Sequence, residues 1–88
     1  MTKQIDLEKY FESVTRDIVG GYNFRFEHWY NGNGRLIYKV EFGITGLDSI
    51  NLDHLQTAVN KIGFNLCKWH YYGLSNVCDL YFMEVKHE

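Results

Sequence analysis

Proline is missing from all 88 residues, so glycine and asparagine must do the work of ending elements and turning the chain. Cysteine is scarce. Two thiols, Cys67 and Cys78, are too few for a disulfide-stapled scaffold and fit a reducing compartment. No charge of one sign dominates: nine Lys and Arg stand against eleven Asp and Glu, scattered along the chain. That balance excludes the basic stripe of a general nucleic-acid binder and is too mild for a polyanionic mimic. No apolar run reaches membrane-spanning length, and the start, Met1 to Asp6, lacks the apolar core of a signal peptide. The expectation is a cytoplasmic protein without a membrane segment.

Apolar surface, by contrast, is plentiful. The chain is 45% hydrophobic and 17% aromatic, beyond what disordered chains carry. A single domain over residues 1–88 would bury about 60–65% of its unfolded surface without metal or disulfide.

The pattern along the chain reads as the same unit twice, over residues 5–44 and 50–86. A first helix over Asp6 to Val19 carries Leu7, Phe11, Val14 and Ile18 on one stripe, and Gly20-Gly21 ends it. Two alternating runs follow, joined at Asn31-Gly32-Asn33-Gly34. In the first, Tyr22, Phe24, Phe26 and His28 share the inner face. In the second, the inner set is Leu36, Tyr38, Val40, Phe42 and Ile44. Matching those faces places Phe26 opposite Val40 and Phe24 opposite Phe42. It also places Glu27 opposite Lys39, Arg25 opposite Glu41 and Trp29 opposite Ile37, and these outer pairs support the same register. Gly43, Gly46 and Asp48 mark a loop. Asn51 then caps a second helix over Leu52 to Ile62, whose start could lie as early as Ser49, and Gly63 stops it.

The second hairpin is apolar on both faces. Transferring the parity of hairpin one through the repeat turns Tyr81, Met83 and Val85 inward, with Phe64, Leu66, Lys68 and His70. Leu66 then faces Met83 and His70 faces Asp79. Cys67, Trp69, Tyr71, Cys78, Leu80 and Phe82 are left pointing outward. The expected fold is α+β with topology αββαββ, a four-stranded antiparallel sheet and both helices mainly on one face. On it, the outward residues of hairpin two form an apolar patch larger than soluble monomers usually expose.

Three chemistries follow from these residues. The patch of Cys67, Trp69, Tyr71, Leu80 and Phe82, with Trp29 beside it, predicts a non-catalytic protein-binding module. Such a module would be a small inhibitor or an immunity or anti-defence type of protein that occludes a larger partner, or a homodimer formed through the same face. Two His-x-Tyr repeats, His28 to Tyr30 and His70 to Tyr72, loosely resemble the paired His-x-Thr/Ser of a class of phosphoesterases. That resemblance would make His28 and His70 the acid and base of a metal-independent nuclease, with Asp79 orienting His70. Trp29 among Arg25, Arg35 and Lys39 would suit a small RNA- or single-stranded-DNA-binding platform, but Glu27 and Glu41 interleave with the bases. The first reading is preferred: a protein or self partner, with no enzyme activity, cofactor, metal or small-molecule substrate. Cys67, His70, Cys78 and His87 could be written as a zinc pattern, but Cys67 and His70 differ in strand parity and do not converge. Nor can Cys67 and Cys78 form a disulfide, being about four residues or ~13 Å apart along the strands.

Overall fold

A computed structural model describes residues 6–44 and 51–85. The chain runs αββ twice: α1 (Leu7–Ile18), β1 (Tyr22–Tyr30), β2 (Leu36–Gly43), α2 (Leu52–Asn60), β3 (Phe64–Tyr72) and β4 (Val77–Glu84). The four strands form one antiparallel sheet in the order β1-β2-β4-β3, so each unit gives its second strand to the centre. Both helices pack on one face, as the fold class requires. Gly46, Asp48, Ser49 and His87, named from the sequence, lie outside the described residues.

Side-chain caps start both helices. The Asp6 carboxylate accepts from the Lys9 amide at 3.2 Å, and the Asn51 side chain accepts from the His54 amide at 3.0 Å. The first hairpin turns on Asn31, whose Oδ1 accepts from the amides of Asn33 (2.9 Å) and Arg35 (3.0 Å). Between α1 and β1, Gly21 takes φ +86, and a Cβ there would stand 2.5 Å from the Phe42 ring. Only glycine lets α1 lie that close to β2.

Phe11 centres the core. Its ring stacks on Phe82 at 4.7 Å and meets Tyr38 and Phe64 at 5.2 Å each, joining α1 to β2, β3 and β4. The Tyr10 hydroxyl donates to the Ala58 carbonyl at 2.8 Å and ties α1 to α2. From α2, the Gln56 side chain accepts from the Leu66 amide at 2.8 Å and donates to its carbonyl. Backbone groups on the outer edge of β3 are thereby satisfied by a helix.

Hairpin one holds the expected register, with Phe26, Glu27, Arg25 and Trp29 opposite Val40, Lys39, Glu41 and Ile37. Phe24 and Phe42 pack ring on ring at 5.5 Å. One correction falls at its open end. Asn23 has φ 56 and the pairing is irregular between Tyr22 and Arg25, so Tyr22 pairs with Gly43. Its ring therefore lies over Gly43 on the face away from the helices, not inward with Phe24. Gly43 itself belongs to β2 rather than to a loop, and a side chain there would collide with that ring.

Hairpin two keeps Phe64 and Leu66 inward as expected but reverses the expected faces along β4 and along β3 beyond Leu66. Cys78, Leu80 and Phe82 are fully buried under the helices, so Leu80 and Phe82 cannot belong to an exposed patch. Tyr81 and Met83 point to the open side instead. Two physical causes combine. The parity carried over from hairpin one was off by one residue, whereas the alternation of β4 itself, Cys78-x-Leu80-x-Phe82, is the stronger inward signal. The register of β3 also shifts between Leu66 and Lys68, so that Leu66 pairs with Phe82 and not with Met83. Cys67 is the extra residue. Phe64 and Leu66 face the helices before this bulge, and Trp69 and Tyr71 do so after it. His70 still pairs with Asp79, as expected.

Candidate functional site

With the apolar residues of both hairpins turned toward the helices, the other face of the sheet carries three aligned rows of side chains. Trp29, Ile37, Met83 and Asn65 form the first. Glu27, Lys39, Tyr81 and Lys68 form the second, and Arg25, Glu41, Asp79 and His70 the third. No described helix covers this face.

The middle row is organised by Tyr81. Lys68 places its ammonium 4.9 Å from the ring centre and Lys39 places its own at 5.9 Å. Trp29, 41% exposed, meets the same ring edge to face at 6.4 Å. Two cations and two aromatic rings thus hold one another on a flat, partly solvated surface, each contact worth about 0.5–1 kcal/mol. Lys68 had been expected to break the inward pattern of its strand; the bulge at Cys67 puts it on the open side, where a lysine belongs.

Lys39 also lies 3.6 Å from the Glu27 carboxylate and 4.0 Å from that of Asp79. Partial burial disfavours its charge, but Asp79, with lesser help from Tyr81, Glu27 and Glu41, outweighs that and holds its pKa above the ordinary lysine value. Asp79 is the most unusual residue here. It is a carboxylate only 3% exposed on the face without helices, and its Oδ1 has no hydrogen-bond partner among the described residues. Beside it, the Tyr72 hydroxyl is shifted to higher pKa, first by loss of solvent, then by the Asp79 charge and by a hydrogen bond to the Asp79 carboxylate. Glu41 stands directly across from Asp79 on β2.

Of the six residues expected to bind a partner, only Trp29 lies on this face as an exposed aromatic. Leu80 and Phe82 are core. Trp69 (43% exposed) and Tyr71 are on the helix side of edge strand β3, where Tyr71 packs on the core and bonds to Asn76 at 3.4 Å. Cys67 sits in the bulge, its thiol donating to the Tyr81 carbonyl at 3.3 Å and raised in pKa by burial of the sulfur. The expected contiguous patch is therefore divided among three environments.

The two histidines are separated as well. His28 pairs with Tyr38 on the helix side, its ring stacked on the tyrosine at 5.1 Å, while His70 is on the open face against Tyr72 at 4.7 Å. Side chains on opposite faces of a sheet do not converge on one point, so the structure does not bring His28 and His70 together as the two repeats suggested. Both cysteines are free thiols. Among the described residues, no group of three His, Cys, Asp or Glu side chains is placed to hold a metal ion, and no helix is long and apolar enough to cross a membrane.

No protein-family model, curated protein or solved structure matches the chain. The function must be read from the open face itself. Sequence reasoning turned Tyr81 and Lys68 to the wrong face and gave Asp79 only the role of orienting His70, although an aspartate inside the apolar run Val77 to Met83 was a visible signal.

Proposed function

We propose that this protein is a non-catalytic binding module that occludes a macromolecular partner, a protein, through the open face of its sheet. The observation that carries this reading is the Trp29–Tyr81–Lys39–Lys68 cluster, aromatic and cationic groups pre-ordered on a surface that no described helix covers. Rigid aromatic anchors rimmed by charge are what protein interfaces concentrate their binding energy in. Glu27, Glu41 and Asp79 on the same face oppose a phosphate backbone, which favours a protein over a nucleic acid. A small domain with a broad face of aromatic and charged groups suits an inhibitor or immunity type of protein, which needs only to cover its target. A second copy of the chain is the simplest alternative occupant, and light scattering after size exclusion reads it directly.

The test is affinity capture followed by reconstitution with the purified partner. Trp29→Ala and Tyr81→Ala should each weaken the complex by about tenfold or more, the loss typical of an aromatic anchor, while Trp69→Ala leaves it unchanged. A complex that needs Trp69 and tolerates both open-face substitutions would refute the assignment.

A further inference from the structure

The two edges of the sheet are finished differently. On β3 the Gln56 side chain accepts from the Leu66 amide at 2.8 Å and donates to its carbonyl, and the bulge at Cys67 breaks the regular run. β1 carries no lysine or proline, and among the described residues no group bonds to its outer backbone. Which backbone groups lie there follows from the turn. The Asn31 amide donates to the Arg35 carbonyl at 2.9 Å, so these two form a hydrogen-bonded pair, while the Leu36 amide turns away from β1 to reach Glu84 at 3.2 Å. Alternation along the antiparallel ladder then leaves the amide and carbonyl of Phe26 and of His28 pointing out of the sheet. Open edges of this kind take up another strand.

We infer that β1 pairs antiparallel with β1 of a second copy of this chain, about a twofold axis through Phe26, so that two sheets become one. In that register Arg25 of each copy faces Glu27 of the other. Both stand at non-hydrogen-bonded positions, where opposed side chains come closest. Each new pair also continues a charge row already present. Lys39 and Glu27, 3.6 Å apart, are followed across the junction by Arg25 and Glu41 of the second copy, alternating in sign throughout. Sliding one copy by two residues either way sets Glu27 against Glu27 or Arg25 against Arg25, so charge favours this register over its neighbours. On the helix side Phe26, half-buried in the single chain, meets its own copy, and Phe24 meets His28. Exposed ion pairs add little affinity each, so they set the register, while backbone bonds and the Phe26 contact hold the strands. A strand complementary to itself is what an isologous dimer requires. Such a dimer does not depend on what the open face binds: Tyr81 on β4 and Lys68 on β3 lie beyond β2 from the junction and stay uncovered in both copies.

Light scattering after size exclusion, run over a wide range of loading concentration, should move from the 10.4 kDa of one chain to twice that mass. Arg25→Glu and Glu27→Arg should each weaken the dimer by about tenfold or more. Combined in one chain they should restore it, since the pairs across the axis re-form with signs exchanged even though the contacts to Glu41 and Lys39 within the chain become worse. Glu27→Gln leaves both Arg25 side chains unpaired at the junction and should favour the monomer, as should any uncharged residue there. His28→Pro removes an outward amide, a change that an edge strand tolerates, and should give a monomer still folded by circular dichroism. A monomer at every concentration, a dimer indifferent to both charge reversals, or a double swap weaker than either single change would overturn the edge pairing. So would a dimer lost in Tyr81→Ala and kept in His28→Pro, which places the contact on the open face. A monomer that still captures its partner through Tyr81 would remove this dimer and leave the binding face; an edge dimer in a chain that captures nothing would do the reverse.

Discussion

Leu80 and Tyr81 are neighbours in sequence and opposite in environment, so a pair of alanine substitutions tests the facing of β4 sharply. Leu80 is fully buried beneath the helices, and Leu80→Ala removes three buried carbons and leaves a cavity, costing about 2–5 kcal/mol. Tyr81→Ala removes an edge contact to Trp29 and two cation–π contacts on a partly solvated face, for about 1.5–3 kcal/mol. Against a domain stability of about 5–15 kcal/mol, the first substitution is severe and the second moderate. In urea unfolding followed by tryptophan fluorescence, each kcal/mol moves the midpoint by roughly 0.5–1 M. Leu80→Ala should therefore lower the midpoint further than Tyr81→Ala. Partner binding should respond in the opposite order, with folded Leu80→Ala retaining affinity and Tyr81→Ala losing it. A larger stability loss from Tyr81→Ala, or loss of binding in Leu80→Ala alone, would show that β4 presents the other face.

Alkaline pH should destabilise the protein through Cys78. Burial raises its thiol from the ordinary 9.0 to about 11, so between those values the folded chain keeps a proton that the unfolded chain has released. The contribution is whole below pH 9 and is lost on the way to pH 11, about 3 kcal/mol in all. Lys39 and Tyr38, both also raised, act in the same direction at higher pH. Urea midpoints measured from pH 8 to 11 under reducing conditions should fall less steeply in Cys78→Ala; parallel curves would contradict the buried thiol. In Gly21→Ala, a left-handed φ and the Phe42 ring at 2.5 Å act together, for about 2–4 kcal/mol, whereas Gly20→Ala, with φ +95 and open space, should cost only about 1–2 kcal/mol. Thermal denaturation of the two variants checks that order, and equal losses would remove Phe42 from the account.

Much of the fold was legible because local and long-range signals agreed. In hairpin one, the apolar alternation and the charge pairs Glu27–Lys39 and Arg25–Glu41 require the same register, and it is the one observed. The helix stripes and the Asn51 cap were similarly direct. Hairpin two was not legible in the same way. A strand apolar on both faces does not announce which face is inward, and a bulge at Cys67 has no sequence mark that distinguishes it from regular pairing. One residue of slip in β4 exchanged core for surface and moved the candidate site from Leu80 and Phe82 to Tyr81 and Asp79. The bulge at Asn23 was hidden for the same reason, and with it the turn of Tyr22 to the open face. Hairpin one was expected to turn mere charge pairs to solvent, and those pairs make up half of the face proposed to bind a partner.

The central claim is that the open sheet face meets a protein partner. The most direct measurement is site-specific photo-crosslinking in cells that produce the protein, with benzoylphenylalanine in place of Glu27 on the open face or of Lys9 on α1; both residues are exposed. A discrete adduct from position 27 that is absent from position 9 and disappears with Tyr81→Ala is the predicted result. Adducts from position 9 alone, or an adduct at position 27 indifferent to Tyr81→Ala, would contradict it.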